Sequence, residues 1–337
     1  MRRVVAVFVG LVMVISACGG GATPGAEPTA TTGSGVTPAT AKSPTVTIEP
    51  AQSTSTTGAP TTTVVPTTTT LVSPTTTKPP ATTTTTLPPA DVAVVPYFYV
   101  DEAGHENRQG PFLLPVTRDV SATRAVARAA MEQLLAGPSD GEKDGVPSIS
   151  TLIPDDVRLL GLTITDGIAT VDLSAAFEAT DDSAVVAQRV AQVVFTLSRF
   201  PTVQEVLFLQ DGAAIKVPIG NGQIVDRPVN IGDFLEFAAA LHVETPSYRG
   251  QGANPLHVMG FGAVFEAAFS YALTDDDGLI VAEGHAMTNN GTGWGGFDFT
   301  ISYEVDQAQV GSLIVWANSA KDGSRIDIRE YPVGLVP

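Results

Sequence analysis

Apolar and polar residues follow four different patterns along the 337 residues of this chain. Residues 4–15 form an unbroken apolar run, residues 19–90 contain no aromatic side chain, and apolar positions with strand and helix periods begin at residue 91. From residue 242 onward no helical period appears. The pattern predicts a leader over 1–17, a linker over 18–90, a mixed domain over 91–241 and an all-β domain over 242–337.

Turn signals divide the first folded region into strand pairs. Asp166-Gly167 stands between two apolar runs, and so does Asp211-Gly212. An Asp-Gly pair in this position predicts a β-hairpin, because both residues accept the positive φ values that suit the twist of the flanking strands. The apolar run from Val92 to Val100 predicts a further strand.

Two segments of the same region have the helical period. The first is predicted to start after Ser121 as its N-cap and to end before Gly137. The second follows Asp181 or Asp182 as its N-cap and places Arg189 and Gln192 on the face away from its apolar stripe. Two helices over a mainly antiparallel sheet predict an α+β domain.

The second folded region shows short alternating runs with turn residues every eight to twelve positions. Asp275-Asp276-Asp277-Gly278 is the sharpest of these turns. Such spacing is typical of a β-sandwich. The predicted strands are Leu256 to Phe261, Phe265 to Leu273, Leu279 to Ala286, Phe297 to Tyr303, Leu313 to Ala317 and Ile326 to Tyr331.

The apolar run near the N-terminus has the features of a signal peptide. Arg2 and Arg3 precede it, and it is shorter than the ~20 apolar residues needed to cross a bilayer. It ends in Ile15-Ser16-Ala17-Cys18, which resembles a bacterial lipobox. The resemblance implies cleavage between Ala17 and Cys18, acyl chains such as palmitate on the Cys18 thiol, and anchoring on the extracytoplasmic face of the cell membrane. The alternative is an ordinary cleaved signal with an incidental Cys18.

The segment after Cys18 is dominated by two residue types. Residues 19–90 contain 26 Thr and 12 Pro but only four charged residues. Such a segment cannot bury enough apolar surface to offset its conformational entropy, so the sequence predicts a disordered N-terminal tether. A Thr/Pro-rich stalk is also a candidate for O-glycosylation, and an unmodified spacer remains the alternative.

Six phrases of the first folded region stand in the order of a known domain. They are Pro115-Val116-Thr117-Arg118, Leu134-Leu135-Ala136-Gly137-Pro138, Ile153-Pro154, Arg158-Leu159-Leu160-Gly161, Gly167 to Ser174 and Ala191 to Leu197. In this order they resemble the GerMN domain of sporulation and spore germination proteins, which also occurs in lipoproteins of actinobacteria. The resemblance implies an α+β domain with no catalytic residues to carry over.

Five segments of the second folded region also stand in the order of a known domain. They are Asn254-Pro255-Leu256, Gly260 to Ala267, Asp277-Gly278, Gly284 and Gly293 to Phe297. They resemble the immunoglobulin-like domain that accompanies GerMN in spore germination proteins, although Glu244 to Tyr248 departs from the opening strand of that family. The resemblance implies a surface adhesion or assembly module.

Charge excludes several classes of partner. The whole chain has 18 basic and 35 acidic residues, and residues 91–337 have 14 and 33. Binding to nucleic acid depends on Lys and Arg, so an acidic body argues against DNA and RNA. The acidic residues 91–337 are also repelled by an anionic membrane surface. The acyl chains on Cys18, and not electrostatic attraction, must therefore hold the protein at the membrane. A single Cys excludes a disulfide framework and a multi-thiolate metal site.

No motif in the sequence specifies a metal site, a cofactor or a catalytic centre. His105, His242, His257 and His285 lack metal-ligand spacing, and each is predicted to lie on a loop or on a strand surface. The run Asp275 to Asp277 could supply oxygen ligands to calcium. A solvated turn is favoured, because the spacing of an EF-hand is missing.

Trp294 is the candidate contact for a ligand or partner, since glycines flank it in Gly293-Trp294-Gly295-Gly296. Core packing of Trp294 is the favoured alternative. The leading hypothesis for function is a membrane-anchored lipoprotein that binds an envelope protein or takes part in envelope assembly, without enzymatic activity. The alternatives are a cell-wall glycan-binding protein that uses Trp294, and a wall-polymer hydrolase that uses carboxylates such as Asp172 and Glu178.

Overall fold

The structure, a computed structural model, describes residues 91–102 and 110–337. The predicted leader and tether, with the predicted cleavage and lipidation site at Ala17 and Cys18, lie outside the described residues, as does His105. Within the described residues, no helix is both long and apolar enough to span a membrane.

The first domain combines small sheets with three α-helices, α1 (Val126–Ala136), α2 (Asp140–Lys143) and α3 (Ser183–Ser198). Its strands are β1 (Val92–Val94), β2 (Tyr97–Val100), β3 (Phe112–Pro115), β4 (Arg118–Val120), β5 (Ile149–Ser150), β6 (Leu159–Thr165), β7 (Ile168–Leu173), β8 (Glu205–Gln210), β9 (Ala213–Ala214), β10 (Val217–Pro218) and β11 (Ile224–Val225). The sheets have the strand orders β6-β7-β8-β9, β3-β2-β5, β1-β4 and β10-β11. The α+β fold predicted from the sequence is confirmed.

The main sheet of this domain contains one parallel pair. β6 and β7 form the predicted hairpin around Asp166-Gly167, whose φ values are 51° and 84°. β7 and β8 run parallel, because the 16 residues of α3 carry the chain back across the sheet between them. The prediction of a mainly antiparallel sheet did not include this pair or the short helix α2.

Helix α3 buries polar side chains that the sequence placed on its outer face. Its N-cap is Asp182, one of the two candidates from the sequence, and Asp182 Oδ1 accepts a hydrogen bond from the Ala184 N–H at 2.9 Å. Gln192 is fully buried, donates to the Tyr97 carbonyl at 2.9 Å and accepts from the Leu152 N–H at 3.1 Å. Arg189 is also buried and donates to the Leu152 carbonyl at 2.7 Å. The predicted exposure of both residues was wrong.

Helix α1 begins later than predicted. The N-cap is Ala125 and not Ser121, and no side chain caps the first turn. Strand β4 extends to Val120, so residues 121–125 are needed to turn the chain into the helix. The end is as predicted, with Gly137 at φ 75° directly after Ala136.

The second domain is a sandwich of a three-stranded sheet, β12-β14-β17, and a five-stranded sheet, β13-β19-β18-β15-β16. Its strands are β12 (Leu241–Thr245), β13 (Gly250–Gln251), β14 (Leu256–Gly262), β15 (Ala268–Thr274), β16 (Ile280–Met287), β17 (Gly295–Ile301), β18 (Gln309–Asn318) and β19 (Arg325–Leu335). All six strands predicted for this region are present. The predicted all-β, immunoglobulin-like sandwich is confirmed.

A short connecting segment, residues 245–250, joins the two domains by backbone hydrogen bonds. The Tyr248 N–H donates to the Pro115 carbonyl at 2.8 Å, and the Thr117 N–H donates to the Tyr248 carbonyl at 3.1 Å. The next residue, Arg249, donates its N–H to the Pro332 carbonyl of β19 at 2.8 Å. The segment therefore pairs with the first domain on one side and with the second domain on the other.

Apolar packing continues across the same junction. One cluster of buried residues includes Tyr97, Phe195 and Phe208 of the first domain and Val243, Phe297 and Tyr331 of the second. The Tyr331 hydroxyl accepts a hydrogen bond from the Val243 N–H at 3.2 Å inside this cluster. A shared core and paired backbone hold the two domains as one body.

Candidate binding groove

The three-stranded sheet of the second domain turns one face toward the sandwich core and the other outward. Along β14, Leu256 and Val258 are buried, whereas Met259 and Phe261 are partly exposed on the opposite face. Strand pairing sets Met259 opposite Asp298 of β17. The outward face thus alternates apolar and polar side chains from neighbouring strands.

A groove of about 670 Å³ lies on this outward face. Its lining includes Glu244 from β12, Met259 and Phe261 from β14, Met287 from the end of β16, and Asp298 from β17. We call it the Met259–Met287 groove. It is shallow and mostly open to solvent, and it combines apolar side chains with two carboxylates.

Methionine is concentrated in this groove. The chain has five Met residues, and only Met131, Met259 and Met287 lie beyond the predicted leader and tether. Met131 is fully buried in the first domain, while Met287 is 65% exposed at the groove. Unbranched, polarisable Met side chains adapt to varied apolar partners and are common on binding surfaces.

Glu244 stands where the groove meets the first domain. A β-bulge between Val243 and Thr245 takes it out of the regular pairing of β12 with β14. The buried Tyr97 hydroxyl lies 3.4 Å from Glu244 Oε1. Burial raises the pKa of Glu244, and the Arg199 charge and the Tyr97 hydrogen bond lower it in part.

An aromatic cluster supports the groove from behind. The His242 ring lies 4.8 Å from the Phe261 ring, 5.8 Å from Tyr97 and 5.9 Å from Phe195, between centroids. His242 is fully buried, and neither ring nitrogen has a hydrogen-bond partner within the described chain. Burial, aided by the charges of Arg199 and Arg329, lowers the pKa of His242 to about 3. The predicted surface position of His242 was wrong, because the sheet face that carries it is covered by the first domain.

Gly260 allows β12 and β14 to approach closely beneath the groove. A Cβ atom there would overlap the carbonyl oxygen of His242 and would lie 2.7 Å from the Phe297 ring. Only glycine fits at this close contact between the two strands.

Trp294, the contact predicted from the sequence, is half-buried beside the groove. Its ring lies 5.5 Å from that of Phe261 in an edge-to-face arrangement, and it is not part of the groove lining. The ring thus supports Phe261 from the side. A direct contact of Trp294 with a ligand stays a prediction.

The other candidate side chains lie apart from the groove. Asp275 Oδ1 caps its own turn by accepting from the N–H groups of Asp277 and Leu279 at 3.1 and 2.8 Å. Asp172 accepts from the Gly212 N–H at 3.0 Å, and burial raises the pKa of Glu178. Over residues 91–102 and 110–337, no group of three or more His, Cys, Asp or Glu side chains is arranged to hold a metal ion.

Glu244, Met259 and Met287 do not form a recognisable group in the sequence. They come from β12, β14 and β16, which belong to two different sheets, so only the tertiary structure brings them to one groove. The available signal was the position of two of three Met residues in polar, strand-forming surroundings.

Family models identify both domains. Residues 96–216 match the Germane model, described as sporulation and spore germination. Residues 240–324 match the Gmad2 model, described as the immunoglobulin-like domain of bacterial spore germination. The chain carries a Germane domain followed by a Gmad2 domain. The resemblance drawn from the sequence is confirmed, and the Met259–Met287 groove lies on the Gmad2 domain.

Two solved structures are similar to part of this chain. The tandem GerMN domains of the sporulation protein GerM from Bacillus subtilis are 21% identical, with 46% of this chain and 50% of that chain covered and a TM-score of 0.34. The first GerMN domain of the same protein is 18% identical, with 41% and 97% covered and a TM-score of 0.32. The chain thus spans about half the length of the tandem structure. No curated protein matches the chain.

Proposed function

We propose that this protein is a lipid-anchored module on the extracytoplasmic face of a bacterial cell membrane, that it binds an envelope protein in the Met259–Met287 groove, and that it catalyses no reaction. Its two domains are of sporulation and germination families. The lipobox-like Ile15-Ser16-Ala17-Cys18 and the Thr/Pro-rich segment that follows support the anchored arrangement.

The groove is the observation that carries the proposal. It exposes Met287 and the apolar side of Met259 next to the junction of two domains that share one core. Apolar surface of this kind, bordered by polar groups, is typical of a protein contact. A rigid support lowers the conformational cost of binding.

The lining favours a protein segment over a sugar. Sugar sites rely on an aromatic face presented to the ligand, and the Trp294 ring packs against Phe261 outside the lining. The most buried acid of the groove, Glu244, contacts the hydroxyl of Tyr97 and no basic or nucleophilic group of the described chain.

Photo-crosslinking in living cells tests the function. The full chain carries p-benzoylphenylalanine in place of Met287, or in place of the fully exposed Val146 of the Germane domain as a control. We expect one protein adduct, identified by mass spectrometry, from position 287 and not from position 146. Adding the substitution Met259→Lys to the protein with p-benzoylphenylalanine at position 287 should abolish the adduct. A lysozyme-sensitive ladder in place of a protein adduct would instead support glycan binding and contradict the proposal.

A further inference from the structure

The lining of the Met259–Met287 groove contains two carboxylates and no Lys or Arg. Within the described residues, no basic nitrogen lies within 4.0 Å of the Glu244 carboxylate. Arg199, the nearby cation on the first domain, donates to Thr245 Oγ1 at 3.4 Å. Glu244 is therefore a half-buried acid with a hydroxyl partner but no ion pair.

The second carboxylate of the groove has a histidine partner. Asp298 Oδ1 lies 2.7 Å from His257 Nε2, and both side chains are exposed. Residues 91–337 as a whole carry 33 acidic and 14 basic residues, so the long-range field also favours a cationic partner.

The floor of the groove suits the stem of a long cationic side chain. Lys and Arg bury their methylene groups on apolar surface while the charged end stays at a polar group. Here Met259 and Met287 supply the apolar surface, and Glu244 supplies the acceptor. A charge-assisted hydrogen bond in a partly buried position is stronger than one at an exposed rim.

We infer that the Met259–Met287 groove takes a Lys or Arg side chain from an extended segment of the protein partner, with the stem on the two methionines and the charged group on Glu244. The inference rests on the proposed function and specifies the chemistry of the partner. It excludes an acidic or purely apolar segment as the occupant.

Methionine methyl NMR tests this directly. The full chain is labelled with ¹³C at the Met methyl groups and titrated with the peptides Ac-Gly-Leu-X-Leu-Gly-NH₂, where X is Lys, Arg, norleucine or Glu. The Lys and Arg peptides should shift the Met259 and Met287 signals and leave buried Met131 unchanged. The norleucine and Glu peptides should bind at least about tenfold more weakly, as expected for the loss of a charge-assisted bond.

Two isosteric variants separate a local contact from general attraction. Glu244→Gln keeps an acceptor for the Tyr97 hydroxyl and should weaken the Lys peptide about tenfold or more. Glu283→Gln removes the same charge from an exposed site on β16 outside the lining and should change affinity less than twofold. Equal binding of Lys and norleucine peptides, equal loss in both variants, or no shift at either methionine would each overturn the inference.

The cross-link at position 287 distinguishes the two levels of the proposal. A protein adduct that survives Glu244→Gln at full yield would overturn the inference about a basic side chain and leave the protein-binding function standing. A glycan ladder would remove the function itself.

Discussion

The Arg329 guanidinium lies 3.1 Å from the Glu102 carboxylate and 4.8 Å from the Phe112 ring centre, so it joins β19 of the second domain to the first. Arg329 is 6% exposed and Glu102 is 23% exposed. Burial raises the pKa of Glu102, while the charge of Arg329 lowers it. Loss of the cation would leave a mostly buried acid without compensation.

Arg329→Met should therefore lower the free energy of unfolding by about 3 kcal/mol. Urea unfolding would measure it, with far-UV circular dichroism for the whole fold and Trp fluorescence for the second domain, which holds Trp294 and Trp316. The control is Arg325→Met, which removes an exposed guanidinium 4.2 Å from the Trp316 ring centre. A loss no larger than that of the control would show that the pair does not stabilise the junction.

The second prediction concerns the pH dependence of stability at His242. Its pKa falls from 6.5 to about 3 on folding, because burial disfavours the charged ring. Between pH 6.5 and about pH 3 the His242 ring binds a proton in the unfolded chain but not in the folded chain. Burial of the neutral ring therefore costs no stability above pH 6.5, and the free energy of unfolding falls as the pH drops from 6.5 toward 3. The slope approaches about 1.4 kcal/mol per pH unit within that window.

His242→Phe keeps an aromatic ring between Tyr97 and Phe261 and removes the titrating group. The difference in unfolding free energy between wild type and variant should shift in favour of the variant as pH falls from 6.5 to 4. Comparison at each pH cancels the opposite effect of Glu102, Glu178 and Glu244, whose raised pKa values add stability at low pH. Parallel stability curves would rule out the buried neutral imidazole.

Gly260 provides the third prediction. In Gly260→Ala the new methyl group meets the His242 backbone and the Phe297 ring, neither of which can rotate away. We expect a loss of about 3 kcal/mol, as for other overpacked cores. Gly296→Ala, on the adjacent strand β17, has its nearest atom at 3.8 Å and should cost far less. Thermal unfolding of the two variants compares them, and similar melting temperatures would refute the close approach of β12 and β14.

Cys18 provides the fourth prediction, which tests the anchor. Cys18→Ser removes the thiol that a lipid donor would alkylate, because the hydroxyl is a much weaker nucleophile. The variant should leave the membrane fraction or accumulate as the uncut precursor, while Ala17→Gly should be processed normally. Cell fractionation, gel mobility and metabolic labelling with a palmitate analogue give the readout. Unchanged labelling and membrane association of the Ser variant would exclude lipidation at this position.

Local signals predicted much of this fold. The Asp166-Gly167 turn depends only on two adjacent residues that accept positive φ, and Asp182 caps a helix through its own neighbours. Gln192 could not be placed in this way. Its partners are the Tyr97 carbonyl, 95 residues away, and the Leu152 N–H, 40 residues away, so only the tertiary fold reveals its buried position.

The groove could not be predicted from local sequence patterns either, because its residues are also distant from one another in the sequence. The sequence predicted β14 and β17, but not the register that sets Met259 opposite Asp298. It did not predict strand β12, which carries Glu244 and has a bulge between Val243 and Thr245. Trp294 was proposed as a ligand contact because glycines flank it. In the structure its ring packs against the Phe261 ring.

The segment 245–250 has a mechanical consequence. β1 is the first strand of the described residues, and it pairs with β4, which begins directly after Val116 and Thr117. Val116 in turn forms a parallel bridge with Tyr248. If the proposed anchor and the proposed partner pulled against each other, the force would pass through these strand pairings and through the core that the two domains share. Both features oppose separation of the two domains, so the junction should transmit the force without coming apart.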